Sequence, residues 1–179
     1  MRRIRLPAVG LTMGLSLVLT ALPVGAAELR ISIDGIRSAK GTVLIGLYDS
    51  PESYRHAIEA AGEEGFLNDP QRFAAVALRA NAALKSSVVF SNLQPGRYAV
   101  IAFHDENSNG KLDKNALGVP TEPYAFSNNV QGFLGPPTFD KAAIAINNRD
   151  MEVHLTLIYH RSADAASCWA NLGCWTESR

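Results

Sequence analysis

Leu93-Gln94-Pro95-Gly96-Arg97-Tyr98-Ala99-Val100-Ile101-Ala102-Phe103-His104-Asp105-Glu106-Asn107-Ser108-Asn109-Gly110-Lys111-Leu112-Asp113 decides how this chain folds. It opens with a turn, because Pro95 fixes φ and Gly96 permits what other residues resist. A strand follows in which Tyr98, Val100 and Ala102 alternate with Ala99, Ile101 and Phe103. Both faces are apolar, so the strand is expected at the centre of a sheet, covered on each side. Past His104 the character changes abruptly to an oxygen-rich loop.

Working outward, Leu29, Ile31 and Ile33 alternate with Arg30, Ser32 and Asp34, the period of a half-buried strand. Gly41 opens a second run with Val43, Ile45 and Leu47 on one face, and the polar residues 36–40 between the two runs suit a hairpin. Pro51 begins a brief helical piece, proline being favoured in a first turn, and a polar loop follows over 62–70. Strand-like runs resume over 72–80 and 86–92, although the alanine-rich stretch 73–83 is helical by propensity alone. Residues 138–146 and 151–159 read as a last strand pair across Asn147-Asn148-Arg149-Asp150. About seven strands without long crossover helices define an all-β fold, an antiparallel β-sandwich with one short helix and a long ordered loop.

The chain has 179 residues, 47% apolar and 19% charged, which excludes a disordered or collagen-like protein. Its 17 basic residues balance 17 acidic ones, so no nucleic-acid footprint is present. Arg2, Arg3 and Arg5 precede an apolar stretch over 6–22, and Gly25 and Ala27 stand at −3 and −1 of a cleavage point. Residues 1–27 therefore read as a signal peptide, with Glu28 the first mature residue. The competing reading is a membrane anchor, but the apolar run over 8–24 is broken by Gly10, Thr12, Gly14, Ser16, Thr20 and Pro23 and is short for a span. Loss of three arginines leaves 17 − 3 = 14 basic residues against 17 acidic, a mature charge of −3. The expected location is periplasmic or secreted, with no membrane span after cleavage. Residues 28–161 form the sandwich domain and 162–179 a tail. In an oxidising compartment Cys168 and Cys174, both in that tail, are expected to pair as a disulfide, since two thiolates cannot complete a metal shell.

The loop from Asp105 has oxygen side chains at positions 1, 3, 5 and 9 (Asp105, Asn107, Asn109, Asp113) and glycine at position 6 (Gly110). This is the calcium-loop spacing: a hard cation takes six to eight oxygens, and glycine permits the sharp turn. Lys111 would offer its backbone carbonyl. Position 12 is Ala116 rather than the bidentate glutamate of an EF-hand, so Glu122 or Asn115 would have to supply a further oxygen. Two carboxylates give an affinity on the order of 10⁻⁴ to 10⁻³ M. The alternative is an Asx-rich turn cluster that caps itself and binds nothing.

Several segments, namely Leu93 to Val100, Phe103 to Asn107, Asn109 to Asp113, Gly118-Val119-Pro120, Glu122-Pro123-Tyr124, Phe126-Ser127-Asn128-Asn129, Gly135-Pro136-Pro137 and Phe139, resemble a bacterial exported family catalogued as domain of unknown function 2141. The resemblance implies a small prealbumin-like or immunoglobulin-like sandwich and no established activity. Ala125 departs from it, the family having glycine before the phenylalanine; a positive φ there would strain alanine. Locally, Asp105 to Gly110 is similar to calcium loops in the B-type repeats of bacterial surface adhesins.

These readings favour a non-enzymatic, calcium-stabilised module that binds a protein or glycan, or serves in envelope structure. The alternative is a small hydrolase using His104, Asp105 and Glu106. Tyr159-His160-Arg161-Ser162 resembles the C-terminal signature of transthyretin-related hydroxyisourate hydrolases, with an inserted histidine and a tail where those enzymes end. Without a second histidine or a nucleophile at a recognisable spacing, His104 more simply orients a loop. His154 and His160 are too far apart along one strand to chelate one ion. Tyr124, Phe126, Phe133 and Phe139 are the residues able to stack on a sugar or peptide, but a satellite core beneath the long loop is the commoner outcome.

Overall fold

The computed structural model describes residues 26–63, 66, 70–81, 83–132 and 135–159. Among the described residues eight strands form two sheets: β1 Ala27–Asp34, β2 Thr42–Tyr48, β3 Ala74–Arg79, β4 Ser86–Leu93, β5 Gly96–Asp105, β6 Tyr124–Phe126, β7 Ile144–Ile146 and β8 Met151–Thr156. Helix α1 is Pro51–Ala60 and the single turn α2 is Phe139–Ala142. One sheet runs β4-β1-β8; the other runs β3-β2-β5-β6, with β7 also on β5. The all-β sandwich expected from the sequence is the observed fold.

The apolar doubling of β5 has a structural counterpart. Tyr98, Val100 and Ala102 enter the core between the sheets with Val43, Ile45, Leu47, Leu29, Ile31 and Ile33. Ala99, Ile101 and Phe103 enter a second, aromatic core with Tyr48, Tyr54, Phe66, Phe126 and Phe139. Helix α1 covers this second face. Ser50 caps it by accepting from Ser53 N at 3.3 Å, Pro51 sits in its first turn, and Tyr54 and Ala57 are its buried side. Full burial of a side chain such as Phe103 is worth roughly 1.5–3 kcal/mol, so both faces of β5 hold the sandwich together.

Burial on both faces leaves β5 only its edges for hydrogen bonding. Along one edge it pairs with β2 from Tyr48↔Ala99 to Thr42↔Asp105. The other edge is shared end to end, Gly96 to Tyr98 facing β7 and Ile101 to Phe103 facing β6. In the gap between those partners Ser127 stands in for a strand: its Oγ accepts from Val100 N at 2.9 Å and donates to Ala142 O. Asn128 Nδ2 donates to Lys141 O and Ala143 O, and Asn129 brackets β8 by donating to His154 O and accepting from Thr156 N. Both asparagines have positive φ, 62° and 49°, a region asparagine tolerates better than most residues. The Phe126-Ser127-Asn128-Asn129 segment is thus a staple joining β5, α2 and the edge of β8.

Two expected pairings are corrected. β1 and β2 do not form a hairpin; they lie in different sheets, and residues 36–40 cross between them. Nor do 138–146 and 151–159 pair with each other. The first contributes only β7 to β5, while β8 runs parallel to β1, Leu29↔Met151 through Asp34↔Thr156. A parallel partner brought from the far end of the chain leaves no local sequence mark. Phe139–Ala142 turns helical instead of extended, and β6 lies within the long loop. Ala125 sits in β6 and is not among the residues of positive φ, so the expected strain is absent.

Ser127→Ala would strand a buried N–H and a buried carbonyl. We expect a loss of about 2–4 kcal/mol in the unfolding free energy measured by urea titration, larger than one ordinary hydrogen bond is worth.

Candidate metal centre

β5 ends on Asp105, which is buried at 2% exposure. Gly41 packs so closely behind it that a Cβ there would fall 2.1 Å from the Asp105 carbonyl oxygen, so no larger residue fits. With its backbone fixed, the Asp105 carboxylate folds the loop around itself, accepting from Asn109 N at 3.0 Å and Gly110 N at 2.7 Å. Gly110 has φ +79°, the left-handed conformation the sequence assigned to position 6. Asn107 Oδ1 accepts from Asn109 N, and Asn109 Oδ1 from Lys111 N, giving two consecutive Asx turns.

The same side chains converge on Asp113. Asn107 Nδ2 lies 2.7 Å from one carboxylate oxygen and Asn109 Nδ2 lies 3.0 Å from the other. Positions 3, 5 and 9 therefore meet, and position 1 is tied to them through the backbone. Leu112 points the other way, 9% exposed in the aromatic core, with its N–H on the Ala61 carbonyl at 2.7 Å. It pins the loop to the end of α1.

The two residues considered for a further oxygen are occupied. Asn115 Oδ1 accepts from Leu117 N and Val119 N, closing a separate turn. Glu122, 5% exposed, accepts from Glu106 N at 2.8 Å and Asp113 N at 3.1 Å, so it braces both ends of the loop. Burial pushes its carboxyl above the ordinary glutamate range, the two amide donors oppose that, and the charges of Asp113 and Asp105 add to it. Among the described residues, no three His, Cys, Asp or Glu side chains gather as a metal-holding group. The candidate donors the sequence nominated, Asp105, Asn107, Asn109, Asp113 and the Lys111 carbonyl, are all hard oxygens, the type calcium takes.

His104 is wholly buried. Its Nε2 lies 2.7 Å from Lys40 O, and since a carbonyl only accepts, Nε2 carries the proton. Nδ1 faces Glu106 Oε1 at 4.0 Å. The histidine thus ties the 36–40 crossover to the start of the loop and offers no accessible base, so the hydrolase alternative finds no support in this geometry. Arg37 extends the tie. Its guanidinium forks onto Glu106 at 2.9 and 3.1 Å and lies 4.1 Å over the Tyr159 ring, while its N–H is given to the Tyr159 hydroxyl. Sequence reading missed this network, whose members lie 69 and 122 positions apart.

Tyr124, Phe126 and Phe139 are buried in the aromatic core and present no platform to a sugar. His154 is exposed on β8. Phe133, His160, Cys168, Cys174 and residues 1–25 of the expected signal peptide lie outside the described residues. No helix among the described residues is long and apolar enough to cross a membrane.

Fold and loop together define a two-sheet β-sandwich whose central strand ends in an Asp-x-Asn-x-Asn-Gly turn. Residues 31–154 match a family described as an uncharacterized protein conserved in bacteria, DUF2141, and the chain belongs to that family. No curated protein and no solved structure matches it.

The Arg37 fork is the main cause that holds the Glu106 carboxyl below its ordinary value near 4.5, against a smaller opposing effect of burial. A depressed carboxylate stabilises the fold above its unfolded value and loses that contribution as pH falls. Glu106→Gln should therefore flatten the acid limb of the stability curve below about pH 4.5. The effect should stay under about 1 kcal/mol, because Arg37 is half exposed and screened. Denaturant midpoints measured from pH 7 to pH 3 check this.

Proposed function

We propose that the 105–113 loop takes up calcium and that the domain is a non-enzymatic module of the cell envelope or exterior. The metal would stiffen the rim by which it contacts a protein or glycan. The observation that carries this reading is the meeting of Asn107 and Asn109 on Asp113, within 3.0 Å, beside a fixed Asp105. A loop of this shape brings two carboxylates and two carboxamides to one turn, with the amide Nδ2 groups on Asp113 and the amide oxygens on backbone N–H groups. A hard cation would neutralise the charges there and draw the amide oxygens and the Lys111 carbonyl inward, with water completing six or more ligands. What the ion supplies is structural: charge compensation at a turn already folded for it. Export supports calcium as the ion, since extracellular calcium modules operate in the 10⁻⁴–10⁻³ M range of affinity, roughly.

A second reading has its own support. Each asparagine oxygen and both Asp105 oxygens already accept a backbone N–H, so the loop is also competent to stand alone.

Melting in about 10 mM calcium against excess chelator separates them. At roughly tenfold excess over Kd, mass action gives about 1.4 kcal/mol, a rise of about 5 °C for a domain of this size. Asp113→Asn should keep the fold and lose the rise. Identical melting in calcium and chelator, with no heat by titration calorimetry, would leave the self-capped loop standing.

A further inference from the structure

Exposure changes abruptly at one peptide bond near the leader. Ala26 is exposed and outside any strand, whereas Ala27 is 1% exposed, opens β1, faces Leu93 of β4 and belongs to the inter-sheet core. The register then slips between Ala27 and Leu29. At that irregularity Glu28 turns outward: its N–H is given to Asp150 Oδ1 at 2.9 Å, and its carboxylate accepts from Ser91 Oγ at 3.2 Å. Among the described residues Ala27 is therefore the first that is buried and in a strand, while the −3 and −1 positions read from Gly25 and Ala27 would discard it. Moving the cut one bond upstream places Val24 and Ala26 at −3 and −1, uncharged and small enough for an A-x-A-like site.

We infer that the leader is removed at the Ala26–Ala27 bond, so that the mature chain begins at Ala27. The inference rests on the export reading above. The reaction is a peptidase-catalysed hydrolysis: water adds across the amide, Ala26 keeps the new carboxylate, and Ala27 receives the amine. Because Ala27 is built into β1 against Leu93, the bond is extended and reachable only before the sandwich closes. Processing thus precedes folding.

The full chain, expressed in a bacterium with a general secretory pathway and followed in both envelope and cytoplasmic fractions, should be found in the envelope with Ala27 in the first cycle of N-terminal sequencing and an intact mass to match. A first residue of Glu28, lighter by one alanine, overturns the junction and leaves export intact. An uncut chain retained in the cytoplasm overturns the export reading itself. The structural ground has its own test. Chains begun at Ala27 and at Glu28, both carrying Asp150→Asn so that a freed amine meets no carboxylate, should differ about fourfold in unfolding constant in favour of Ala27, the worth of one buried methyl. Equal constants overturn that ground.

Discussion

β5 has no face turned to water, and the rest of the molecule is arranged around that constraint. Its odd and even side chains fill two different cores, so its backbone donors and acceptors must be met along its two edges. One regular partner, β2, meets one edge. Two three-residue strands and a serine hydroxyl divide the other. Those short strands, β6 and β7, make little sense alone, because three residues bury too little to hold themselves in place. They exist because β5 offers them a template and Ser127 bridges the vacancy between them.

The same strand sets the geometry of the loop. Asp105 is the last residue of β5, held by pairing with Thr42 and by the close approach of Gly41. A carboxylate fixed this way organises the following turn by accepting two successive backbone amides. Leu112 and Glu122 then secure it from below and from the side. Such a loop is folded by its own hydrogen bonds, and under the proposed calcium reading that order would lower the entropy cost of gathering ligands. Under that reading its weakness would be charge: two carboxylates would compensate a divalent cation only partly, and the buried Glu122 spends its oxygens on the backbone.

Much of this was legible in the residues. The double apolar alternation of 98–103 marks a central strand, and the spacing of Asp105, Asn107, Asn109, Gly110 and Asp113 marks the turn, because each depends only on neighbours in the chain. The role of Glu122 was not, since a glutamate 16 residues away carries no sign of which amides it will meet. His104 invites a catalytic reading beside Asp105, but the sequence favours a loop-orienting role; in the structure it is buried and tied to the Lys40 carbonyl. Residues 126–129 fall where the sequence shows no strand, yet their side chains replace missing strand hydrogen bonds. Periodicity is blind to that substitution.

By itself, then, the sequence determined most of the extended segments, though not β6 or the helical turn at 139–142, and the apolar faces of the long strands, for these follow from side-chain period and local φ preferences. Only the tertiary structure decided which strands lie side by side. It separated β1 from β2, sent β7 and β8 to different sheets, and ran β8 parallel to β1. The physical reason is that strand pairing is a contest among edges. Every extended segment offers the same backbone groups, and the winner is set by which arrangement buries both faces of β5 at once.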